Sequence, residues 1–198
     1  MRIGVLALQG AFAEHIAILS RLGVETLEVR LPKHLANLDG LIIPGGESTT
    51  ISRLMWEYQM AGPITKLALN GMAVMGTCAG MIVMAASADS LDRPTLGLIN
   101  VAIKRNAFGR QVDSFETDLN IPALGAEPFK GVFIRAPVVT SVGPDVEVLC
   151  RLSTGDIVAV RQGKHLAMAF HPELTDDTRF HRYFMNVVSG ALIAESSR

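Results

Sequence analysis

The first half of the chain alternates short apolar runs with segments of helical spacing, and this alternation limits the fold more than any other feature. Strands are predicted where the apolar runs are continuous or follow a two-residue period, at residues 3–8, 24–29, 39–43 and 72–75. Helices are predicted between and after them, at residues 12–22, 51–58, 63–69 and 79–86. Strands separated by helices form parallel sheets with helices on both faces, so we predict an α/β domain.

The second half of the chain changes character, because glycines and prolines there separate strand-like runs with few helical segments. Strands are predicted at residues 96–104, 112–119, 131–134, 146–152, 157–161 and 166–170. A closing helix is predicted over residues 176–193, with Phe180, Phe184, Val187 and Val188 on its apolar face. We expect β-hairpins that extend the sheet. Without a repeat or linker, residues 1–198 are predicted to form a single domain.

Composition excludes several classes of protein. Of the 198 residues, 49% are hydrophobic and 19% are charged, which is typical of a compact core and not of a disordered chain. The formal net charge is −1, without a basic or acidic block. We therefore expect no nucleic-acid partner and no anionic membrane partner.

Two apolar segments need a separate test for membrane insertion or export. Residues 67–88 carry no charge, but Asn70, Gly71, Gly76 and Gly80 interrupt them, which favours a strand, a turn and a helix over a membrane span. Residues 1–12 hold one Arg before a short apolar run and fit a first strand better than a signal peptide.

The chain has two cysteines, Cys78 and Cys150. Their wide spacing does not indicate a disulfide framework or a zinc site, and no metal or cofactor is predicted. Reduced thiols are the simpler interpretation, and they favour a cytoplasmic location.

Four polar or glycine-rich segments come directly after predicted strands: residues 9–10, 45–48, 76–80 and 171–173. Ligands of open parallel sheets bind outside the carboxyl ends of the strands. We therefore expect these segments to meet at one edge of the sheet and to form the functional site there.

The segment GTCAG places Cys78 between Gly76 and Gly80, after a buried strand and before a helix. This is the nucleophile-elbow pattern with Cys in place of Ser, and the helix start favours the reactive thiolate. The backbone N–H of Ala79 is one expected oxyanion donor. The structural alternative is a buried Cys in a glycine-rich turn, which the elbow spacing makes the weaker interpretation.

The segment HPE follows an apolar strand, and Pro172 takes the chain out of the sheet there. His171 can act as base to a Cys thiol and as acid to a leaving amine. Glu173 can bind the other ring nitrogen and fix the tautomer, as in a catalytic triad. A surface His beside a proline turn is the alternative, and Cys78 upstream weighs against it.

The segment PGGES has successive backbone N–H groups near two glycines, a pattern that can bind an anion or supply a second oxyanion donor. The alternative is a plain strand-to-helix turn. In both interpretations Ser48 or Thr49 is the predicted cap of the following helix.

Other polar residues carry a weaker signal. Arg105 and Arg110 lie in a polar stretch and Arg135 follows a strand, so all three fit surface arginines when taken alone. The remaining histidines have no neighbouring carboxylate and Cys that would mark them as catalytic, so they are predicted to be surface or core residues, and Cys150 fits a structural role. Those histidines are His15, His34, His165 and His181.

Six segments together resemble the glutaminase subunits of two-protein pyridoxal 5′-phosphate synthases, a family of class I glutamine amidotransferases. They are GVLALQGAFAEH, LIIPGGESTT, GTCAG, KRNAFGRQVDSFE, GVFIRAP and FHPEL. GTCAG and HPE alone indicate only the class, whereas PGGEST, RNAFGRQVDSFE and FIRAP select the family. The resemblance implies a three-layer, flavodoxin-like fold with a mostly parallel sheet.

The resemblance also implies an activity, the hydrolysis of L-glutamine to glutamate and ammonia through a thioester. It implies a Cys78, His171 and Glu173 triad. The oxyanion hole would be formed by Gln9, Gly10, Gly45 and Ala79. Glutamine would contact Gly46, Glu47, Ser48, Arg105, Ile134 and Arg135.

The resemblance finally implies a partner. In this family ammonia passes to a barrel-shaped synthase subunit, PdxS, in an assembly of twelve synthase and twelve glutaminase subunits. Two other classes remain open from the residues alone. One is a Cys hydrolase or glyoxalase-like protein on a related sheet, and the other is a binding module that keeps the fold without catalysis.

Overall fold

The computed structural model describes residues 1–106 and 114–191. The helices of this part of the chain are α1 (Phe12–Arg21), α2 (Ser48–Glu57), α3 (Ala61–Leu69), α4 (Ala79–Met84) and α5 (Arg179–Ser189). The strands of the first half are β1 (Arg2–Leu6), β2 (Glu25–Val29), β3 (Gly40–Ile43), β4 (Ala73–Thr77) and β5 (Ala85–Ala88). Those of the second half are β6 (Ile99–Lys104), β7 (Ser114–Leu119), β8 (Phe129–Ile134), β9 (Val138–Val142), β10 (Glu147–Arg151), β11 (Ile157–Gln162) and β12 (His165–Met168).

The main sheet has the strand order β2-β1-β3-β4-β12-β11-β9-β6-β5, with β10 paired to β11. The first five strands in this order are mutually parallel. The β11 strand pairs antiparallel with β12, β9 and β10, and β7 with β8 forms a separate hairpin. The predicted mostly parallel sheet with appended hairpins is confirmed.

Neighbouring residues at the end of β4 show that helices cover both faces of the sheet. A Cβ on Gly76 would lie 2.5 Å from Met84 Sδ and 2.6 Å from the carbonyl carbon of Gly80, both on α4. The next residue, Thr77, has its hydroxyl 3.3 Å from His15 Nε2 on α1. Successive side chains of a strand point to opposite faces, so α4 and α1 lie on opposite sides. This is the predicted three-layer arrangement.

The core sits on these faces because the central strands carry mostly apolar side chains. Strand β3 is buried along its whole length, and so is β4. The charge-free segment at residues 67–88 divides into the end of α3, then β4, α4 and β5. Among the described residues, no helix is long and apolar enough to cross a membrane.

Several element boundaries differ from those predicted. The helix after Cys78 ends at Met84 because the chain turns into β5, and neither β5 nor β9 was predicted. The closing helix begins at Arg179, because a short 3₁₀ turn at Pro172–Leu174 comes first. The predicted end of this helix, beyond residue 191, lies outside the described residues. The predicted apolar face buries Phe180, Phe184 and Val187.

Candidate active site

Cys78 lies on a strained turn between β4 and α4. Its backbone has φ 48° and ψ −102°, the left-handed half of the map that residues with a side chain rarely adopt. A Cβ on Gly80 would lie 2.0 Å from the carbonyl oxygen of Ile43, so only glycine lets α4 approach β3 this closely. The Cys78 N–H donates to the carbonyl of Met168 at 2.8 Å, which holds the turn in place. This geometry is that of a nucleophile elbow.

The neighbouring strand brings His171 and Glu173 to the same edge of the sheet. The His171 Nδ1 and a Glu173 carboxylate oxygen lie 2.7 Å apart. Both residues are buried, and a Cβ on Gly45 would lie 2.3 Å from His171 Cε1 and 3.3 Å from Cys78 Cβ. Gly45 therefore packs closely against both the imidazole and the cysteine. The three residues predicted as a triad lie together, in the order that a Cys-His-acid relay requires.

Charge in this cluster follows from its contacts. Burial alone would lower the pKa of His171, but its hydrogen bonds with Cys78 and Glu173 raise that pKa to about 10. Burial also opposes ionisation of Glu173, yet the neighbouring His15 and the hydrogen bond from His171 lower its pKa. The imidazole therefore holds its proton at neutral pH beside an ionised carboxylate. By contrast, burial raises the pKa of Cys150 to about 11, which leaves that thiol unreactive.

A cavity of about 250 Å³ opens above Cys78. Small-molecule sites usually begin at about 300 Å³, so this cavity is a small one. Its volume suits a single amino acid. Most of the predicted oxyanion and glutamine-contacting residues line it, together with Ile82 and Asn106, which were not predicted. The predicted residues at its wall are Gln9, Gly46, Glu47, Ser48, Ala79, Arg105, Ile134 and Arg135.

Arg105 supplies positive charge at the cavity wall. Its guanidinium lies 3.6 Å from a Glu47 carboxylate oxygen and donates to the backbone carbonyl of Ser90. Its backbone N–H donates to Asp89 at 2.8 Å. The side chain is therefore anchored and turned toward the site, unlike a freely solvated surface arginine. Arg110, the other arginine of this stretch, lies outside the described residues.

The opposite wall comes from the end of β8. The Ile134 carbonyl oxygen lies 3.7 Å from the sulfur atom of Cys78. The following residue, Arg135, has φ 44°, so the backbone turns sharply where it borders the cavity. The signal for both residues lay in the resemblance and not in their chemistry, because an exposed arginine after a strand is common.

The cap of α2 corrects a prediction. Ser48 and Thr49 do not cap this helix; the Glu47 side chain accepts from the backbone N–H groups of Thr49 and Thr50 at 3.0 and 2.7 Å. The hydroxyls of Thr49 and Thr50 also donate to Glu47. Ser48 is instead the first residue of the helix, and it is buried at the cavity wall.

Two glycine loops interlock beside the triad. A Cβ on Gly10, where φ is 99°, would lie 1.9 Å from the Gly45 carbonyl oxygen. That carbonyl accepts from Ala11 N–H at 3.0 Å, and the Gly45 N–H donates to the Thr77 hydroxyl at 2.9 Å. The Gln9 side chain accepts from Glu47 N–H at 2.8 Å. In this conformation the Gly45 N–H points at Thr77, so Gly45 offers no donor to the cavity.

His15 and His181 lie in the core, which is one of the two predicted alternatives, but His15 has a carboxylate beside it that the sequence did not indicate. Both rings are fully buried, with His15 Nδ1 2.9 Å from His181 Nε2. His15 Nε2 is 3.4 Å from the Glu173 oxygen that does not bind His171. These residues come from α1 and α5, which are too distant in sequence for any local motif to link them.

Comparison with known proteins agrees with this geometry. The family model described as the SNO glutamine amidotransferase family matches residues 5–189. A protein of Carboxydothermus hydrogenoformans named pyridoxal 5′-phosphate synthase subunit PdxT is 52% identical, over 97% of this chain and 100% of its own length. A protein of the same name from Herpetosiphon aurantiacus is 56% identical, over 94% and 100%.

Solved structures also resemble this chain. A crystal structure described as a glutamine amidotransferase is 51% identical, has a TM-score of 0.89 and covers 94% of this chain and 98% of its own. PurLQS from Thermotoga maritima, at 19% identity, has a TM-score of 0.69 with 93% and 97% covered, which shows the shared fold alone. The matched family model and these relatives span nearly the whole chain, and the chain belongs to the SNO glutamine amidotransferase family.

Proposed function

We propose that this chain is the glutaminase subunit of a pyridoxal 5′-phosphate synthase and hydrolyses L-glutamine to glutamate and ammonia. One observation carries the proposal. Cys78 stands on a strained elbow beside an imidazole that is 2.7 Å from a buried carboxylate, at the wall of a cavity of about 250 Å³. The names of the relatives support the biosynthetic assignment.

The first half of the reaction forms a thioester. The Cys78 thiolate attacks the side-chain carboxamide carbon of glutamine, and the carbonyl electrons move onto oxygen. The N–H of Ala79 opens α4 and has no acceptor within its helix, so it can bind that oxyanion. His171 then gives its proton to the amide nitrogen as the C–N bond breaks, and ammonia leaves.

The second half releases glutamate. Neutral His171 now takes a proton from water as the water attacks the thioester carbon. Collapse of the second tetrahedral intermediate returns the thiolate of Cys78 and the protonated imidazole. Glu173 remains ionised throughout, because its function is to hold His171 Nδ1–H and stabilise the imidazolium.

Charged and polar groups on the cavity wall fit the two ends of glutamine. Arg105 can bind the α-carboxylate, while the exposed part of the Glu47 carboxylate can accept from the α-ammonium group. Gly46, Ser48, Ile134 and Arg135 contribute wall and backbone groups. We propose these six residues as the glutamine-binding set.

The second oxyanion donor is proposed to arise by a change in the two glycine loops. The Gly45 N–H donates to the Thr77 hydroxyl and the Glu47 N–H donates to the Gln9 side chain, so neither of these two backbone N–H groups can bind an oxyanion in this conformation. A reorientation around Gly10 and Gly45 would release one. We propose that docking of the synthase subunit drives it, which makes the isolated chain a weak glutaminase.

The partner follows from the product. Free ammonia protonates in water and then loses its nucleophilicity, so a synthase subunit must receive it through a covered path. We propose the barrel-shaped PdxS subunit as that partner, in an assembly of twelve copies of each. We also propose a cytoplasmic location, since a catalytic thiol needs a reducing compartment.

Glutamate release from L-glutamine, measured with and without the synthase subunit, tests the proposal. We expect weak activity from the isolated chain, a large increase in the complex, and none from Cys78→Ala in either state. Cys78→Ala should still fold and bind the partner, because a methyl group fits the space of the thiol. Substantial glutamate release by that variant would refute Cys78 as nucleophile. Equal activity with and without the partner would refute the proposed activation.

A further inference from the structure

Behind the triad lies a buried polar cluster that the proposed reaction does not use. His15 on α1 and His181 on α5 are fully buried, with His15 Nδ1 2.9 Å from His181 Nε2. His15 Nε2 lies 3.4 Å from one Glu173 oxygen and 3.3 Å from the Thr77 hydroxyl. Buried polar groups away from water are costly unless they are paired, so two histidines at this place require an explanation.

The buried polar atoms that lack a hydrogen-bond partner indicate which ring nitrogen of each histidine carries the proton. Within the described residues, Glu173 Oε2 and His181 Nδ1 are buried and have no hydrogen-bond partner at ordinary distance. If His15 carried its proton on Nδ1, its Nε2 lone pair would face the carboxylate. His181 would then accept on Nε2 and leave an unpaired N–H on Nδ1. Both consequences are unfavourable.

The opposite arrangement resolves both problems. With the proton of His181 on Nε2, that ring donates to His15 Nδ1, and the orphan His181 Nδ1 is only a lone pair. The proton of His15 then sits on Nε2 and points toward Glu173. Burial lowers the pKa of His15, and it lowers the pKa of His181 to about 3, so both rings are neutral.

We propose that His15 is a positioning residue of the triad, which holds the second oxygen of the Glu173 carboxylate through Nε2–H, and that His181 fixes the tautomer of His15. The inference rests on the proposed triad. Glu173 is then held at both oxygens, one by His171 and one by His15. A carboxylate fixed in this way keeps its orientation toward His171 Nδ1 and stays ionised without a contact to solvent.

Other charges near the cluster do not supply this contact. Glu14 acts on His15 and Arg21 acts on His181 through charge alone. Arg21 pairs with the exposed Asp176 at 3.3 Å, on the outside of the fold. The proton that faces Glu173 from the side opposite His171 is therefore that of His15.

Two substitutions at position 15 test the functions of the two ring nitrogens separately. The amide of His15→Gln can place an N–H where Nε2 stands and keep the donor to Glu173. The shorter amide of His15→Asn reaches only the Nδ1 position, so it can pair with His181 but not with Glu173. Both variants are polar and smaller than histidine, and they differ from each other by one methylene group. His165→Gln is the control, a half-buried histidine on β12 outside the cluster.

The readout is the pH dependence of Cys78 carboxymethylation by iodoacetate in the full chain, with the modified peptide identified by mass spectrometry. Iodoacetate is an anion that reacts fastest when an imidazolium stands beside the thiolate, so the rate falls as His171 loses its proton. For wild type we expect this fall near pH 10, the pKa of His171. In His15→Asn the Glu173 carboxylate loses one of its two contacts and can turn away from His171. The weaker contact lowers the pKa of His171, so the fall in the carboxymethylation rate should move down by about one pH unit or more.

His15→Gln and His165→Gln should keep the wild-type profile. In the complex, His15→Asn should lower the kcat of glutamine hydrolysis by about ten- to a hundredfold with KM nearly unchanged, as expected for a misplaced catalytic group. Identical pH profiles for His15→Asn and wild type would overturn the proposal. So would loss of folding in both His15 variants, since His15 would then be a packing residue. If the carboxymethylation rate of Cys78 in the wild-type chain does not fall at high pH, the triad itself is refuted.

Discussion

At the scale of single residues, the site depends on a few backbone positions that only particular residues can occupy. A non-glycine residue at positive φ costs about 1–3 kcal/mol, so the turn at Cys78 must be held by its surroundings. The close contact of Gly76 with α4 and the hydrogen bond from Cys78 N–H to Met168 supply that restraint. The strain exposes the thiol to the cavity and to His171.

Gly45→Ala should impair catalysis more than folding. The added methyl would lie 2.3 Å from His171 Cε1, so the imidazole has to move away from Cys78. Because a displacement of about 1 Å can cost a hundredfold in rate, we expect kcat to fall by about that factor. Steady-state glutamine hydrolysis and urea denaturation measure the two effects.

Gly62→Ala is the matched control for that substitution, because an added Cβ there meets no atom of residues 1–106 and 114–191 within 4 Å. Gly62 belongs to α3 and does not border the cavity above Cys78. We expect its kcat to equal that of wild type. A Gly45→Ala variant with normal kcat would show that His171 does not need its present position.

His171→Asn should lower glutamine turnover by about 10²- to 10⁴-fold, the usual contribution of general acid–base catalysis. The asparagine side chain cannot take the proton of the thiol or deliver one to the nitrogen of the glutamine carboxamide as ammonia leaves. Glutamate release in the presence of the synthase subunit is the measurement, and His165→Asn is a control histidine on the same strand–turn unit. Turnover within a few-fold of wild type would mean that another group acts as the base.

At the scale of elements, α2 shows how one side chain can serve both folding and the site. Although burial works against ionisation, hydrogen bonds from Thr49 and Thr50 lower the pKa of Glu47 from 4.5 to about 2. The same carboxylate lies 3.6 Å from Arg105. A helix start is thus fixed by a residue that also borders the cavity, so mutations of Glu47 should affect stability as well as substrate binding.

Glu47→Ala should destabilise the chain by about 1 kcal/mol at pH 7, as loss of a helix cap does. A carboxylate whose pKa is lower in the folded state stabilises above the unfolded pKa, here 4.5, and this stability is lost as pH falls toward about 2. The difference between wild type and Glu47→Ala should therefore shrink over that range. Urea denaturation at several pH values measures it.

Glu57→Ala is the control for the cap, since Glu57 ends the same helix and its one ion pair within the described part of the chain is an exposed contact with Arg53 at 3.8 Å. Such pairs contribute about 0–1 kcal/mol. A Glu47→Ala variant no less stable than Glu57→Ala would contradict the capping role.

The order of elements could be predicted from the sequence wherever a strand is buried on both faces, because a continuous apolar run is a strong signal. Strand β5 was missed because Ala85–Ala88 continues the helical pattern of α4 without a break. Strand β9 was missed although Val138–Val142 is rich in β-branched residues. The α2 cap was misassigned because the preference for Ser and Thr outweighed a glutamate.

The residues at the cavity could be predicted by a different route, through motifs and resemblance. Such motifs are local, and they report on residues near the chemistry. His15 and His181 are 166 residues apart and meet only through the packing of α1 against α5. Neither has a sequence neighbour that marks it. A contact of this kind depends on tertiary structure, which no periodicity or spacing reports.

At the scale of the whole molecule, the parallel sheet explains why distant segments form one site. Strands β1, β3, β4 and β12 are adjacent and parallel, so their carboxyl ends lie along one edge. The loops after these four strands carry the interlocked glycine segments, Cys78 and His171. The hairpin of β7 and β8 adds Ile134 and Arg135 from above. The topology therefore gathers the site, and the partner is expected to act on the same edge.

The central claim is that Cys78 is the nucleophile that attacks glutamine, and labelling with 6-diazo-5-oxo-L-norleucine tests it most directly. This reagent has the shape of glutamine and alkylates the nucleophile that attacks it. With the synthase subunit present, we predict one adduct, on the peptide that carries Cys78, suppressed by excess L-glutamine and lost in His171→Asn. An adduct on Cys150, or labelling that glutamine does not suppress, would contradict the claim.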